Sequence, residues 1–386
     1  MDRLTHNDPA KAASASGCAV GTAALMAAAL ALPGIQAARA ETAPDRGVVS
    51  VKFLDYQDSQ PGADRIRVTA PSMFFLAPFA DGRWSASGTY TVDAISGASP
   101  AFHTRALTRM RDDRHAYNGG VTRYFQDGTL TLGAAYSRES DYLSRGFSLQ
   151  GTHSSEDKNT SFNLGVAMYN DEINPTNRIV RHETKQVAEY LAGVTQILTP
   201  YDIVQAEIGT SRGRGYFSDP YKTFDQRPRR HDHATVLARW NHHFSGAGGT
   251  SRLSYRYYND NYGIIAHTAE AEYVQPLPGG WTLQPSLRLY TQKAATFYVE
   301  VDPARGDGIT FPSAAALYNS RDQRLSAFGA ATLGLKVVKD FGPDWSLDVK
   351  YERYEQRSEW ARNAQGSYGL APFQFRAVQF GITHRF

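Results

Sequence analysis

The chain has 386 residues, with 41 Lys and Arg against 38 Asp and Glu, a net charge of +3, 41% hydrophobic and 12% aromatic residues. Beyond residue 40 it holds no run of about 18 apolar residues, which excludes a bundle of transmembrane helices. The charge balance argues against nucleic acid as a partner, but nothing in it excludes a β-barrel, whose lumen face is polar.

Lys11 precedes an apolar run over residues 19–32, which Pro33 and Gly34 break before Ala38-Arg39-Ala40. This reads as a secretory signal peptide over 1–40, with a single barrel domain over 41–386. Cleavage would remove three basic residues (Arg3, Lys11, Arg39) and two acidic ones (Asp2, Asp8), leaving a charge of +2. It would also remove the only cysteine, Cys18, so no disulfide or thiolate site is expected in the mature chain.

From residue 48 onward the chain falls into sixteen alternating segments: 48–57, 64–79, 83–96, 114–125, 129–137, 142–153, 160–170, 184–198, 202–213, 232–244, 249–260, 264–276, 281–293, 322–340, 345–357 and 373–386. Most are about as long as a tilted barrel strand needs to cross a bilayer. Leu253, Tyr255 and Tyr257 oppose Arg252, Ser254 and Arg256; Leu347, Val349 and Tyr351 oppose Asp348, Lys350 and Glu352. Such a period of two puts one face in lipid or a core and the other in water.

The connections decide between those options. Seven short ones, rich in Gly, Pro, Asp or Ser, alternate with a set that includes 97–113, 171–183, 214–231, 294–321 and 358–372. Short turns at one end and long loops at the other fit an outer-membrane barrel better than a sandwich. Phe79, Trp84, Phe125, Tyr201, Phe244, Trp281, Phe341 and Trp345 flank the short turns, as an interfacial girdle would. The expected fold is all-β: an antiparallel transmembrane barrel of sixteen strands with both termini on the periplasmic side.

The search for chemistry finds no G-x-S-x-G, H-E-x-x-H, P-loop or dinucleotide fingerprint. His231, Asp232 and His233 read as solvated loop polarity, without the spacing of a metal site. No enzyme, cofactor or metal is expected. The alternation directs Arg123, Arg239, Arg252, Arg256, Glu270, Arg288 and Asp348 into the lumen, where they either tune passage or pair into a network that lines or blocks the bore. Asp93, Asp219, Tyr221 and Lys222 fall where strands meet long loops and could build a polar mouth.

The last strand alternates Val378, Phe380, Ile382 and His384 up to the terminal Phe386. A terminal aromatic of this kind resembles the assembly signal of bacterial outer-membrane barrels, with Phe380 and Phe386 as its apolar positions. It implies recognition by the barrel-assembly machinery and contact with outer-membrane lipid and lipopolysaccharide.

Several stretches together resemble one bacterial family of outer-membrane barrels that is a domain of unknown function. They are 93–100 (DAISGASP), 122–125 (TRYF), 213–222 (GRGYFSDPYK), Arg227-Pro228, 255–258 (YRYY) with Asp260, His267-Thr268 with Glu270, 284–290 (QPSLRLY), Ala294, Ala295, Phe297, Tyr298 and 324–329 (RLSAFG). The resemblance implies no activity. Its members often lie beside genes for a thioredoxin-like protein, a small lipoprotein and a flavin transferase, which implies a redox context at the cell envelope. Two functions are expected from this reading: a channel or export port for a small solute or modified peptide, or a non-conducting scaffold for a lipoprotein or periplasmic redox partner. Either places the protein in the outer membrane of a Gram-negative bacterium.

Overall fold

The computed structural model describes residues 43–100, 107–222, 224–300, 302 and 311–386. The expected signal segment and its cleavage site lie outside the described residues. Sixteen strands follow one another: β1 (Val48–Gln60), β2 (Ala63–Phe79), β3 (Trp84–Pro100), β4 (Leu107–Phe125), β5 (Gly128–Arg138), β6 (Tyr142–Ser154), β7 (Thr160–Ile173) and β8 (Glu183–Thr199). Then come β9 (Asp202–Gly215), β10 (Arg230–Phe244), β11 (Gly249–Asp260), β12 (Ile265–Leu277), β13 (Trp281–Gln292), β14 (Phe328–Phe341), β15 (Trp345–Arg357) and β16 (Phe373–Arg385).

Each strand pairs antiparallel with its sequence neighbours, and β1 pairs with β16 to close the barrel. Closure leaves no sheet edge, so every strand's backbone is paired within the sheet, as a bilayer requires. The closing seam is pinned at its end, where Gly47 and Phe386 exchange backbone hydrogen bonds of 2.9 and 3.0 Å. Arg46 secures it further by donating to Asp344 Oδ1 at 2.6 Å.

The exterior is apolar. Leu132, Phe147, Leu164, Ile208 and Leu333 are 57–71% exposed on the outward face. A continuous surface of this kind is untenable in water and natural in lipid. At the short-turn end Phe79, Phe125, Phe244, Trp281, Phe341, Trp345 and Phe386 are all exposed, and Trp84 stacks on Phe79 at 6.3 Å. Phe380 also faces outward on β16. The girdle therefore sits where the sequence places it.

The turns match as well, but three strand boundaries differ markedly. β3 and β4 run on to Pro100 and from Leu107, into the stretch expected to be loop. They project past the lipid, where no apolar alternation is needed and the sequence signal fades. Residues 322–327, expected to open a strand, instead form a 3-10 turn at Gln323–Leu325 and a buried approach to β14. Leu325 and Ala327 are only 7% and 2% exposed, packed inside rather than facing lipid.

Candidate functional site

The lumen wall is unevenly charged. On β11–β16 and β1, charged side chains pair within a strand, between neighbours and across an intervening strand. Arg252 Nη1 reaches Glu272 Oε1 at 2.9 Å, Lys350 Nζ reaches Glu352 Oε1 at 2.9 Å, and Arg288 Nη2 lies 3.8 Å from the same carboxylate. Asp348 sits between Lys52 and Lys336, 3.9 Å from each. On the opposite wall, inward positions are small or polar, such as Thr131, Gly133, Ser148, Gln150 and Asn163.

Arg239, Arg252, Arg256, Glu270, Arg288 and Asp348 all face the interior, as their strand register requires. Arg239 donates to Gln205 Oε1 at 2.8 Å. Arg123 is a correction, because it points outward beside Trp84, its partner on β3. Its guanidinium lies over the rings of Trp84 and Phe125 at 5.1 and 5.6 Å. Adjacent aromatics, Tyr124 and Phe125, hide the alternation there, and a long cationic side chain can lie at the lipid boundary with its head in water.

The loop end is spanned by a belt of two connections. The β9–β10 connection anchors at one rim, where the Tyr221 hydroxyl donates to Asp141 and accepts from the Thr176 N–H at 2.9 Å. Asn177 Nδ2 donates to the Pro220 carbonyl at 2.8 Å beside it. Across the mouth, Gln226 and Asn319 exchange backbone hydrogen bonds of 2.7 and 2.9 Å, joining this connection to the one between β13 and β14. That second connection reaches the far rim, where Gln60 at the tip of β1 donates to Gln323 at 3.2 Å.

Asp322 is the knot of the belt. It is 1% exposed, and Lys222 Nζ and Arg227 Nη2 reach its Oδ2 at 2.9 and 2.8 Å. Arg324 Nε donates to its Oδ1 at 2.9 Å. Burial alone would push this carboxyl up, but the charges of Arg324, Lys222 and Arg227 outweigh it and hold it well below the usual carboxylate range. Asp219 goes the other way: burial raises it, with Lys222 and Arg324 offsetting only part. The Tyr221 phenol is likewise raised, by burial and by its bond to Asp141.

Three of the four expected mouth residues, Asp219, Tyr221 and Lys222, thus meet in the belt. Asp93 has a different partner, Arg114 on β4, whose Nε donates to its Oδ2 at 2.6 Å. It is fully buried against the β3–β4 wall.

Beneath the belt lies a pair that sequence reading passed over. His231 is half-buried, stacks on Tyr262 at 4.1 Å between centroids, and places Nε2 3.1 Å from Asp260 Oδ2. The Tyr258 hydroxyl donates to the same oxygen at 2.9 Å, while Oδ1 accepts the backbone N–H groups of Tyr262 and Ile264 at 3.0 and 2.8 Å. Only Asp232 of the expected solvated trio is tied up outside, with Arg230. The usable signal was the register: β10 and β11 pair His233 with Asp260, which brings these groups to one level.

A protein family described as being of unknown function, DUF3570, matches residues 102–182 and 175–375. The chain belongs to this family. The matched stretches contain both connections of the belt and the His231–Asp260 pair. A comparison with curated proteins finds no match. Among solved structures the chain is similar to a bacterial polysaccharide outer membrane secretin, at 10% identity, 88% coverage of this chain, 98% of that chain and a TM-score of 0.49. It is similar to OpdO of Pseudomonas aeruginosa, at 10% identity, 90% and 99% coverage and a TM-score of 0.48. It is also similar to CdiB from Acinetobacter baumannii, at 9% identity, 87% and 60% coverage and a TM-score of 0.47. None of the three carries an inference about what this chain binds.

Proposed function

We propose that this protein is an outer-membrane channel for a small solute, with its termini in the periplasm and its outer mouth spanned by the belt. One observation carries the reading. Ser148, Gln150, Arg239, Arg256 and Glu270 face inward in mid-barrel and are nevertheless exposed. Charged and polar groups that keep their hydration inside a barrel line water rather than a core. A solute crossing that water passes cations and carboxylates on one wall and small neutral groups on the other.

The test is solute uptake by liposomes carrying the refolded barrel of residues 41–386. Small sugars and amino acids should enter faster than into empty liposomes, and uptake should fall as solute size grows. Uptake no faster than in empty liposomes, from protein that migrates as a folded barrel, would remove the reading.

The belt itself favours a second reading. A mouth closed by a buried ion-pair knot suits a non-conducting scaffold that holds a lipoprotein or thioredoxin-like partner at the periplasmic rim. Under that reading the same liposomes stay impermeable, and a lipoprotein co-purifies from native membranes.

A further inference from the structure

Under the belt lies a cavity of about 580 Å³, within the size range of small-molecule sites. Its floor is set by register. Arg256, Thr268 and Tyr290 form one inward row across β11, β12 and β13. One pleat nearer the mouth lies the row of Tyr258, Ala266 and Gln292. Tyr262, Ile264, Ala266 and Leu325 are buried together as an apolar cluster that Tyr258 and Tyr290 pack against. The cavity thus offers flat rings and apolar surface, with hydroxyls at their edges.

Its charges are nearly balanced. Lys185 lies 3.0 Å from Asp171, Arg227 is held by Asp225 at 2.9 Å and by Asp322, and Arg324 by Asp322. Of the carboxylates, Asp141 accepts from Tyr221, Asp219 faces Lys222 at 3.8 Å, and Asp260 takes His231, Tyr258 and two backbone N–H groups. Arg256 is left over. Among the described residues no carboxylate lies within ion-pair distance of it, and its side chain is exposed to the cavity.

We propose that this cavity binds a small carboxylate with a flat, largely apolar body. The carboxylate docks on Arg256, whose planar fork matches it in two parallel hydrogen bonds. The body lies against Tyr258, Tyr262, Tyr290 and Leu325. A single uncompensated cation fits one negative charge better than a dianion, and a neutral guest would leave the guanidinium without an anion as water is displaced. The inference deepens the channel reading by naming a substrate class, and it rests on that reading for its role in passage.

Equilibrium dialysis of the refolded barrel in detergent tests it, with 4-hydroxyphenylacetate and its neutral amide as probes. The carboxylate should bind about tenfold more tightly than the amide. Arg256→Gln should abolish that preference, and Arg256→Lys should keep part of it. Tyr290→Leu should weaken both probes alike. Equal binding of acid and amide, no binding of either, or an acid preference that survives Arg256→Gln would overturn the proposal. Folding of each variant is checked by heat-modifiable migration, and should Arg256→Gln fail to fold, the acid-to-amide ratio in the wild type and in Arg256→Lys decides. Dialysis needs no ion flow, so a barrel that binds the acid but passes no solute would sink the channel reading alone. A barrel that passes solutes without preferring the acid would sink this inference alone.

Discussion

Arg227 Nη2 and Asp322 Oδ2 meet at 2.8 Å although 95 positions separate them in sequence. This contact joins the β9–β10 connection to the β13–β14 connection over the barrel mouth. Asp322 is buried and Arg227 partly so, and neither residue lies in a strand.

Asp322→Asn should loosen the belt. It leaves Lys222, Arg227 and Arg324 packed together without their carboxylate, and removing one partner of a buried pair costs about 3–5 kcal/mol. Hydrogen exchange in residues 319–327 should accelerate strongly, while exchange in the strands stays unchanged. The pH dependence follows from the depressed Asp322 carboxyl. Its stabilisation is fully present above the unfolded value of about 4 and is lost only as pH falls through the lower folded value. The Asp322 contribution to belt exchange should therefore be flat from neutral pH to about 4, once corrected for intrinsic rates, and exchange should rise below it, whereas the raised Asp219 carboxyl takes up its proton above that range.

Gly215 is the residue at which β9 hands the chain to the belt. Its φ is +127°, and a Cβ there would lie 2.1 Å from the Thr184 carbonyl oxygen. Neither the conformation nor the space accepts a side chain. Gly215→Ala should cost at least about 2 kcal/mol locally and expose residues 216–229 to limited proteolysis. Unchanged protease resistance would show that the belt is rooted elsewhere.

Arg256 and Glu270 are exposed lumen charges that have no ion-pair partner among the described residues, whereas Asp348 is held between two lysines. Arg256→Gln should raise the cation preference of the barrel, and Glu270→Gln should lower it, each by about twofold or more in reversal potential measurements of permeability ratio. Asp348→Asn should act mainly on stability, because it strips Lys52 and Lys336 of their shared partner.

Phe386 is 60% exposed at the closing seam, yet its backbone completes the pairing with Gly47. Phe386→Ala keeps those hydrogen bonds. It should lower the amount of folded barrel assembled in cells several-fold while leaving the unfolding midpoint of refolded protein nearly unchanged. Equal losses in both assays would mean that the ring serves the seam and not recognition during assembly.

Much of this architecture is written in the sequence where lipid enforces it. Val349 and Tyr351 must face outward and Asp348 and Lys350 inward, so a period of two survives along β15. Short turns need Gly, Pro and Asp, which marks one end of every hairpin. Above the lipid that pressure ends. Residues 322–327 keep an alternating pattern but follow a buried path, because Leu325 packs with Tyr262 of the β11–β12 connection and with Ala295 at the start of its own. The Asp322 knot depends on contacts between loops that no local pattern encodes. Arg123 shows the same limit at the other boundary, where a cation can share the aromatic girdle.

The most direct measurement is single-channel recording of the refolded barrel in a planar bilayer, wild type beside Asp322→Asn. A water-filled lumen under an ion-paired belt predicts ion flow in the wild type with closures at the mouth. Loosening the belt should then lengthen the open time without changing the ion preference set by Arg256 and Glu270. Silence from both proteins, each folded by heat-modifiable migration, would contradict a channel and leave the scaffold.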